Sequence, residues 1–222
     1  MSNYTLRLME DKLAAGGESR TDLPGEIRTL YVVDGEILVG SDGDVRRVGA
    51  DEGWFGNGPC LVEGGADGAT AWRWELVRTP SSGDGLASGP GVESVAKQSE
   101  ALHLDPAGKH MMRCDRVDFP SGGVAYTHIH WGPGIRCLLR GELLVRTEDS
   151  ESLVRPGETW FETGPDPIYA EASKTEETSF IRAMVLPRVL KGQTSIRYVK
   201  EEDQDRPKTQ QYTRYVDEFV EL

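Results

Sequence analysis

The sequence predicts an all-β protein that contains two copies of one domain. The chain has 222 residues, of which 26 are glycine and 12 are proline, so many turns are expected. Its hydrophobic share of 37%, with five Trp, seven Tyr and five Phe, is sufficient for a packed core. Two sequence blocks also recur at one fixed spacing, which is typical of a duplicated domain.

The internal repeat pairs VVDGEILV with LLRGELLV, and WFGNGP with WFETGP. Gly35 matches Gly141 and Trp54 matches Trp160, and each pair is 106 residues apart, since 141 − 35 and 160 − 54 are equal. A single dipeptide recurs by chance in any chain. Two blocks held at the same spacing indicate duplication of a whole domain.

Strands are predicted wherever short apolar or alternating runs occur, as in RTLYVVDGEILVG, TAWRWELV, IRCLLRGELLV and SFIRAMVLP. Asp34-Gly35 is a tight-turn signal between two of these runs. Helix is expected in two places only. They are YTLRLMEDKLAA, which Gly16-Gly17 would end, and GVESVAKQSEALHL at 91–104.

Composition divides the chain into three regions. The segment TPSSGDGLASGPG at 79–91 is rich in Gly, Ser and Pro and predicts a linker. We therefore expect an N-terminal domain with its linker at 1–100, a C-terminal domain at 101–188 and a charged tail at 189–222. The tail contains aromatic residues that indicate packing along a partner surface, while its charge is also typical of disorder; they are Tyr198, Tyr212, Tyr215 and Phe219.

Charge and cysteine content limit the partners and the compartment. The net charge of −12 and pI near 4.8 disfavour binding to nucleic acid or to an anionic membrane surface. No run of about 18 uncharged apolar residues occurs. Cys60, Cys114 and Cys137 form no CxxC motif, and the apolar strand settings of Cys114 and Cys137 predict inert buried thiols. We expect a cytoplasmic protein.

The segment GGVAYTHIHWGPGIRCLLRGEL at 122–143 places His128 and His130 two residues apart in a predicted strand. Residues i and i+2 of a strand share a face, so both imidazoles would point the same way and suit a transition metal. The alternative is a polar pocket wall in which both histidines bond to acids or water. Further ligands would come from His110, Tyr126, Glu158, Glu162, Asp166 or Tyr169.

Together with LVRPGETWFETGPDPIYAEA, this segment resembles the two consecutive motifs of the cupin superfamily, whose members are double-stranded β-helix barrels of the jelly-roll kind. The repeat resembles a bicupin, with two tandem barrels and few short helices. The resemblance covers 105–187 well and 22–78 more weakly. The matching residues are His128 and His130 for the His-x-His pair, Gly141 for the hairpin glycine, and Pro156-Gly157 for the start of the second motif.

Two ligands of the family pattern are absent. Gly134 stands at the position of the glutamate, and Ile168 stands at the position of the last histidine. In the first copy, Asp22 and Pro24 stand at the positions of the histidine pair and Arg28 at that of the glutamate. Metal chemistry is therefore expected in the second barrel alone.

Three more residues are candidates for ligand binding. Family geometry turns position 134 inward, so Arg136 should face the interior as well. Its guanidinium matches a substrate carboxylate, or else it forms an internal salt bridge to Asp118, Glu158 or Glu162. Tyr126 and Trp131 could wall the pocket. Trp160 has a duplicate in a copy without ligands, and core packing is expected for it.

The resemblance implies a divalent metal, Fe, Ni, Zn or Mn, and an enzyme of the cupin type that acts on a small organic molecule, carboxylated if Arg136 binds it. Dioxygenases, decarboxylases, isomerases and lyases all occur in the family, so the reaction stays open. The alternatives are a non-catalytic small-molecule-binding bicupin with a degenerate metal site and a structural scaffold. The likeness also implies a homodimer.

Overall fold

The computed structural model describes residues 3–16, 18–80 and 83–222, and most of them lie in β-strands. All strand pairs are antiparallel, and they form three five-stranded sheets. The chain folds as two compact units, Met1–Ala107 and Gly108–Leu222, which we call the first and second barrels. The expected all-β class is confirmed.

One curved sheet forms the first barrel, with the strand order β3-β2-β4-β1-β5. Strand β4 lies on both sides of β2, because Leu30 is opposite both Trp54 and Arg73. The sheet therefore curls around an apolar core that includes Leu30, Ile37 and Val62. The strands are β1 (Tyr4–Leu13), β2 (Arg20–Ser41), β3 (Asp44–Gly49), β4 (Gly53–Arg78) and β5 (Val92–Leu102).

Both helices expected from the sequence are wrong. YTLRLMEDKLAA forms β1 and GVESVAKQSEALHL forms β5, and the two strands pair from Tyr4 opposite Leu102 to Leu13 opposite Val92. Strand pairing between residues far apart in sequence forms the backbone hydrogen bonds here. This pairing overrides a weak local helical pattern. Gly17, the second half of the expected helix stop, lies outside the described residues.

The predicted turn at Asp34-Gly35 differs from the structure. Asp34-Gly35 does not end a strand, since β2 continues through it with register shifts on either side. Gly35 has φ 77° and Gly141 has φ 74°, so the repeated glycines share a left-handed backbone. In the 79–91 segment, residues 81 and 82 lie outside the described residues, and β5 after it belongs to the first barrel.

Two sheets form the second barrel, in the orders β10-β9-β12-β7-β14 and β11-β8-β13-β6-β15. Its apolar core includes Val117, Leu143 and Phe180. Its strands are β6 (His110–Phe119), β7 (Val124–His130), β8 (Gly134–Arg140), β9 (Leu143–Arg146), β10 (Glu151–Val154), β11 (Thr159–Glu162), β12 (Ile168–Ala172), β13 (Thr178–Pro187), β14 (Ile196–Tyr198) and β15 (Gln211–Val220).

Within the described residues, helical structure is limited to short pieces, as expected: a 3₁₀ turn at Arg188–Leu190 and one helical turn, α1, at Glu201–Gln204. Nothing helical in the described part of the chain is long and apolar enough to cross a membrane. Cys60, Cys114 and Cys137 form no disulfide and are buried, which confirms the burial predicted for Cys114 and Cys137.

The segment at 189–222 supplies one strand to each sheet of the second barrel. In β14, Tyr198 is opposite His128, and in β15, Val216 is opposite Cys114. The segment therefore completes the second barrel along both sheets. No duplicate of it exists in the first half of the chain, so the internal repeat carried no information about this pairing.

The repeat corresponds to equivalent places in the two barrels. Leu30 is opposite Trp54 in the first barrel, and Arg136 is opposite Trp160 in the second. Each residue of the second pair follows its counterpart by 106 positions, since 136 − 30 equals 160 − 54. The spacing found in the sequence is therefore also the spacing of matching strand positions.

Candidate metal centre

Strand β7 turns both histidines of the His-x-His pair into the second barrel. His128 is 5% exposed and His130 is 4% exposed, and their ring centroids are 4.9 Å apart. Opposite β7, Ile168 pairs with His128 while Ala170 pairs with Ala125, so β7 contains one extra residue. Such a bulge re-aims the side chains beyond it.

Two backbone carbonyls orient the imidazoles. The Nδ1 atom of His128 is 2.7 Å from the carbonyl oxygen of Tyr126, and that of His130 is 3.3 Å from the carbonyl oxygen of Ser195. A carbonyl only accepts, so each Nδ1 is assigned the proton and each Nε2 keeps a free lone pair.

Burial keeps both imidazoles neutral. It lowers the pKa of His128, although the Glu162 carboxylate opposes this effect. It lowers the pKa of His130 further below the usual value, and the positive charges of Arg182 and Arg136 add to the effect. Neutral imidazoles with a free Nε2 are the form that binds a metal.

Glu162, at the end of β11, completes a cluster with the two histidines. Ligand atoms of His128, His130 and Glu162 all lie within 4.8 Å of one another. Glu162 Oε1 accepts a hydrogen bond of 2.9 Å from Trp160 Nε1. Glu162 Oε2 is 3.3 Å from His130 Nε2 and is a buried atom to which no donor of the described residues is aligned.

Arg136 lies beside this carboxylate. Its Nη2 is 2.6 Å from Glu162 Oε2, and its Nη1 donates to the carbonyl of Gly134. Neither its Nε nor its Nη2 is aligned for a hydrogen bond, so the contact to Glu162 is one of charge rather than of directed bonding. Burial lowers the pKa of Arg136 to about 10, against the opposing effect of Glu162.

A second ion pair lies next to the first. Arg182 of β13 is opposite Arg136, and it donates to both oxygens of Asp115 at 2.6 and 3.1 Å. The two guanidiniums and the two carboxylates of Asp115 and Glu162 have formal charges that cancel. Sequence reasoning missed Arg182 and Asp115, although a lone arginine within the apolar run SFIRAMVLP was a usable signal.

Other residues proposed as ligands lie elsewhere. His110 is opposite Pro187 and Val220 and does not join the cluster. Glu158 is exposed, and its Oε2 accepts from the backbone N–H of Arg155 at 2.7 Å. Neither residue supplies a ligand atom to the group formed by the two histidines and Glu162.

The aromatic candidates divide in the same way. Trp131 is 49% exposed, with the Arg197 guanidinium 5.4 Å from its ring centroid. The Tyr126 ring has the Arg206 guanidinium 4.9 Å from its centroid. Neither ring is among the described residues that line the barrel cavity, whereas Trp160 lines it and packs against Phe180 with ring centroids 5.0 Å apart.

The cavity beside the cluster is small. Its volume of about 20 Å³ is room for about one water molecule. The polar part of its wall includes His128, His130, Glu162, Arg182 and Tyr212, and Ile168 lies at the position of the absent last histidine. The apolar part includes Val117, Phe119, Leu143, Val145, Phe180 and Ile196.

The first barrel fills the equivalent position with other groups. By the 106-residue spacing, Gly56 corresponds to Glu162 and Arg28 corresponds to Gly134, and the residues of each pair are opposite each other in their own barrel. The Trp54 ring occupies the space that a side chain at Gly56 would need. Charge is concentrated at Glu75, which is fully buried and lies 2.7 Å from Arg7, 3.1 Å from Arg28 and 2.7 Å from Arg73. The site geometry of the second barrel is thus not repeated.

No family model matches the sequence, and no curated protein matches it. Solved structures do. The chain is similar to the oxalate decarboxylase of Lactobacillus farciminis in its formate complex, with a TM-score of 0.64 and 11% identity over 90% of this chain and 82% of that one.

Two further solved structures are similar. Salicylate 1,2-dioxygenase from Pseudaminobacter salicylatoxidans has a TM-score of 0.56 and 11% identity over 87% of this chain and 74% of its own. AerE from Microcystis aeruginosa has a TM-score of 0.57 and 14% identity over 83% and 88%. At these identities the similarity shows the fold alone.

Proposed function

We propose that this protein, which has the cupin fold, is an enzyme that holds a divalent transition metal in its second barrel and acts on a small organic molecule. One observation carries the proposal. Ligand atoms of His128, His130 and Glu162 lie within 4.8 Å of one another, and His130 Nε2 is 3.3 Å from Glu162 Oε2. Two neutral imidazoles and a carboxylate gathered in a buried site are a ligand set that suits a divalent transition metal.

The residues present fit such a metal. His128 and His130 would each supply an Nε2 atom, and Glu162 would supply Oε2, the buried oxygen that lacks an aligned donor. Two imidazoles and one carboxylate suit Fe, Ni, Zn or Mn and leave coordination positions open for substrate or oxygen. A bound metal would supply Lewis-acid polarisation or activation of oxygen.

The remaining residues of the site position these three. The carbonyls of Tyr126 and Ser195 hold the imidazoles in the tautomer that exposes Nε2. Trp160 Nε1 and the Arg136 guanidinium hold the Glu162 carboxylate from two sides. The apolar wall leaves room for little more than one water, so the reacting atoms would be shielded from solvent.

The open positions favour an oxygen-dependent reaction or a lyase, with decarboxylation and isomerisation as the other candidates. Among proteins of similar fold, one is named an oxalate decarboxylase and another a salicylate 1,2-dioxygenase. A carboxylated substrate would bind Arg136 only by displacing Glu162 from it, because this guanidinium is fully buried. The role of Arg136 in substrate binding therefore stays a prediction, as do the roles of Tyr126 and Trp131.

A second candidate is a non-catalytic small-molecule-binding protein with a degenerate metal site. The observation that favours it is the ion pair between Arg136 and Glu162, since a guanidinium 2.6 Å away competes with a metal for the same carboxylate. Gly134 and Ile168 also offer no ligand atom. A homodimer, a cytoplasmic location and the lack of a nucleic-acid partner remain predictions.

Metal analysis tests the proposal. The protein is purified without a histidine tag, incubated with Fe, Ni, Zn or Mn, and compared with the His128→Ala/His130→Ala variant. The matched control is His103→Ala/His110→Ala, which removes the other two histidines of the chain. Near-stoichiometric metal that only the first variant loses supports the proposal, and oxygen uptake with small organic acids and amines is then assayed.

The opposite results are equally informative. Absence of metal from wild type after every incubation contradicts the metalloenzyme and favours the binding protein. Metal that both double variants retain places the metal elsewhere on the chain. Circular dichroism of each variant shows whether the strands have formed, so that loss of metal is separated from loss of the fold.

A further inference from the structure

A second space is lined in part by the same residues as the barrel cavity. It is a groove of about 360 Å³ between three stretches of the second barrel, 147–149, 161–163 and 166–168. Glu162 and Ile168 line both the groove and the cavity. The groove and the cavity therefore share a wall at these two residues.

The cavity and the groove differ in volume, so they suit ligands of different size. The cavity of about 20 Å³ holds an ion, a water or a diatomic molecule, whereas pockets for small organic ligands are about 300 to 1,000 Å³. The groove falls within that range. An organic molecule that reacts at the metal centre would therefore lie in the groove, with only its reacting end at Glu162.

The charge of the groove wall limits which molecule this is. Four acidic residues line it, and none of the described residues in its wall is basic; the acids are Glu148, Asp149, Glu162 and Asp166. Thr163 donates to Asp166 at 2.6 Å, so one hydroxyl is already used within the wall. Carboxylates of one sign around a concave surface attract a cation and repel an anion.

Glu162 connects the groove with the candidate metal centre. Its side chain is only 10% exposed, and it lines both the groove and the cavity. Its Oε2 atom is buried next to Arg136 and His130. A molecule in the groove that contacts Glu162 would therefore lie next to the candidate metal centre.

The remaining wall suits a flat apolar group. Phe161 is half-buried and Pro167 is exposed, and both line the groove beside the acids. An aromatic face also attracts a cation directly. The combination of apolar surface and carboxylates matches a molecule that has a ring or short alkyl part and a protonated amine.

We propose that the groove binds the organic substrate of this protein and that the substrate carries a protonated amine. The inference rests on the proposed function, which makes the bound molecule a substrate. The amine lies among the carboxylates of Asp149 and Asp166, the apolar part lies against Phe161, and the reacting end reaches Glu162. The positive charge of this amine is opposite to the negative charge of the carboxylated substrate that Arg136 led us to expect.

A pair of probes of equal shape and opposite charge tests the groove. Binding of benzylamine and of benzoate is measured by calorimetry and by ligand-observed NMR at low salt. We expect benzylamine to bind at least about tenfold more tightly than benzoate, because one favourable contact to a carboxylate is replaced by repulsion. In Mn²⁺-loaded protein, the ring protons of benzylamine should broaden, which reports that the ligand lies near the metal.

Matched variants locate the binding. Asp149→Asn/Asp166→Asn should weaken benzylamine binding by about tenfold or more. Asp42→Asn/Asp44→Asn removes the same two charges from exposed positions of the first barrel and should leave the binding unchanged. Equal affinity for both probes, tighter binding of benzoate, or equal losses in both double variants would overturn the proposal.

The outcomes separate this inference from the metal. His128→Ala/His130→Ala leaves the groove wall intact, so benzylamine should still bind to it. Amine binding in a protein that never takes up metal supports the groove and contradicts the metal function. Stoichiometric metal without selective amine binding contradicts the groove alone.

Discussion

Gly134 and Glu162 are directly opposite each other on adjacent strands, β8 and β11. Directly paired residues of an antiparallel sheet project from the same face, with Cβ positions about 5 Å apart. The glutamate that the cupin resemblance expects at 134 is missing, and its cross-strand neighbour brings a carboxylate to the same region of the barrel. The site therefore retains a carboxylate although its motif position is a glycine.

Restoring the family glutamate at 134 should fail. In Gly134→Glu, a Cβ atom would lie 2.5 Å from the carbonyl oxygen of Ala183 and 2.6 Å from Met184 Cγ. Overpacking against backbone costs about 1–3 kcal/mol or more, so we expect a lower melting temperature and no gain in metal content. Thermal unfolding and metal analysis check this.

Gly58→Glu is the control for this substitution, because nothing lies within 4 Å of a Cβ built there. It should change the melting temperature much less. A stable Gly134→Glu protein with increased metal content would show that the backbone near Ala183 yields, and that the glycine is not required.

Glu162→Gln should reduce both metal binding and stability. It removes one of three ligands, so affinity should fall by more than about tenfold, the loss seen when even a supporting group of a ligand is removed. It also leaves Arg136 buried without its carboxylate, which costs about 3–5 kcal/mol. Metal titration and urea unfolding measure the two effects.

The double variant Glu162→Gln/Arg136→Met separates the loss of metal affinity from the loss of stability. Methionine removes the uncompensated charge, so most of the stability should return while the metal affinity stays low. If Glu162→Gln binds metal as wild type does, Glu162 is not a ligand and serves only as the partner of Arg136.

These residues show where sequence information ended. His128 and His130 were identified because alternation along one strand is a local property, and both face the interior. Glu162 was one of six candidates for further ligands, since only the cross-strand register distinguishes it from Glu158, four residues earlier in the chain. That register depends on pairing between β8 and β11, and no pattern within either strand encodes it.

Non-local pairing also explains the errors in the fold. The sequence of β1 suits a short helix as well as a strand, and its contacts with β4 and β5 decide in favour of the strand. The segment at 189–222 lacked a duplicate, so nothing indicated that it would pair with β6 and β7. The duplication itself was visible, because Trp54 and Trp160 keep matching strand positions.

Glu75 should be essential to the first barrel. Its carboxylate lies within 3.1 Å of Arg7, Arg28 and Arg73, and its side chain is fully buried. Glu75→Gln leaves three buried or nearly buried guanidiniums with less negative charge, which should cost about 3–5 kcal/mol. Amide hydrogen exchange in β1 and β4 reports the stability of this barrel directly.

The matched control is Glu36→Gln, which breaks an ion pair to Arg47, a side chain that is 71% exposed. Exposed pairs contribute about 0–1 kcal/mol, so exchange in the same strands should change little. Similar losses in both variants would show that burial of the Glu75 cluster has no special energetic role.

Acid should weaken the first barrel through the same carboxylate. Burial alone would raise the pKa of Glu75, but the guanidiniums of Arg73, Arg28 and Arg7 outweigh it and hold that pKa below its usual 4.5. Below pH about 4.5, the unfolded state binds a proton that the folded state does not, so stability falls as the pH drops towards the folded pKa.

This contribution is complete above pH about 4.5 and absent once the folded carboxyl is protonated. The stability difference between wild type and Glu75→Gln should therefore shrink as the pH falls from 5 to 3, measured by hydrogen exchange in β1 and β4. A difference that stays constant over this range would mean that Glu75 stabilises the barrel by its shape and hydrogen bonds rather than by its charge.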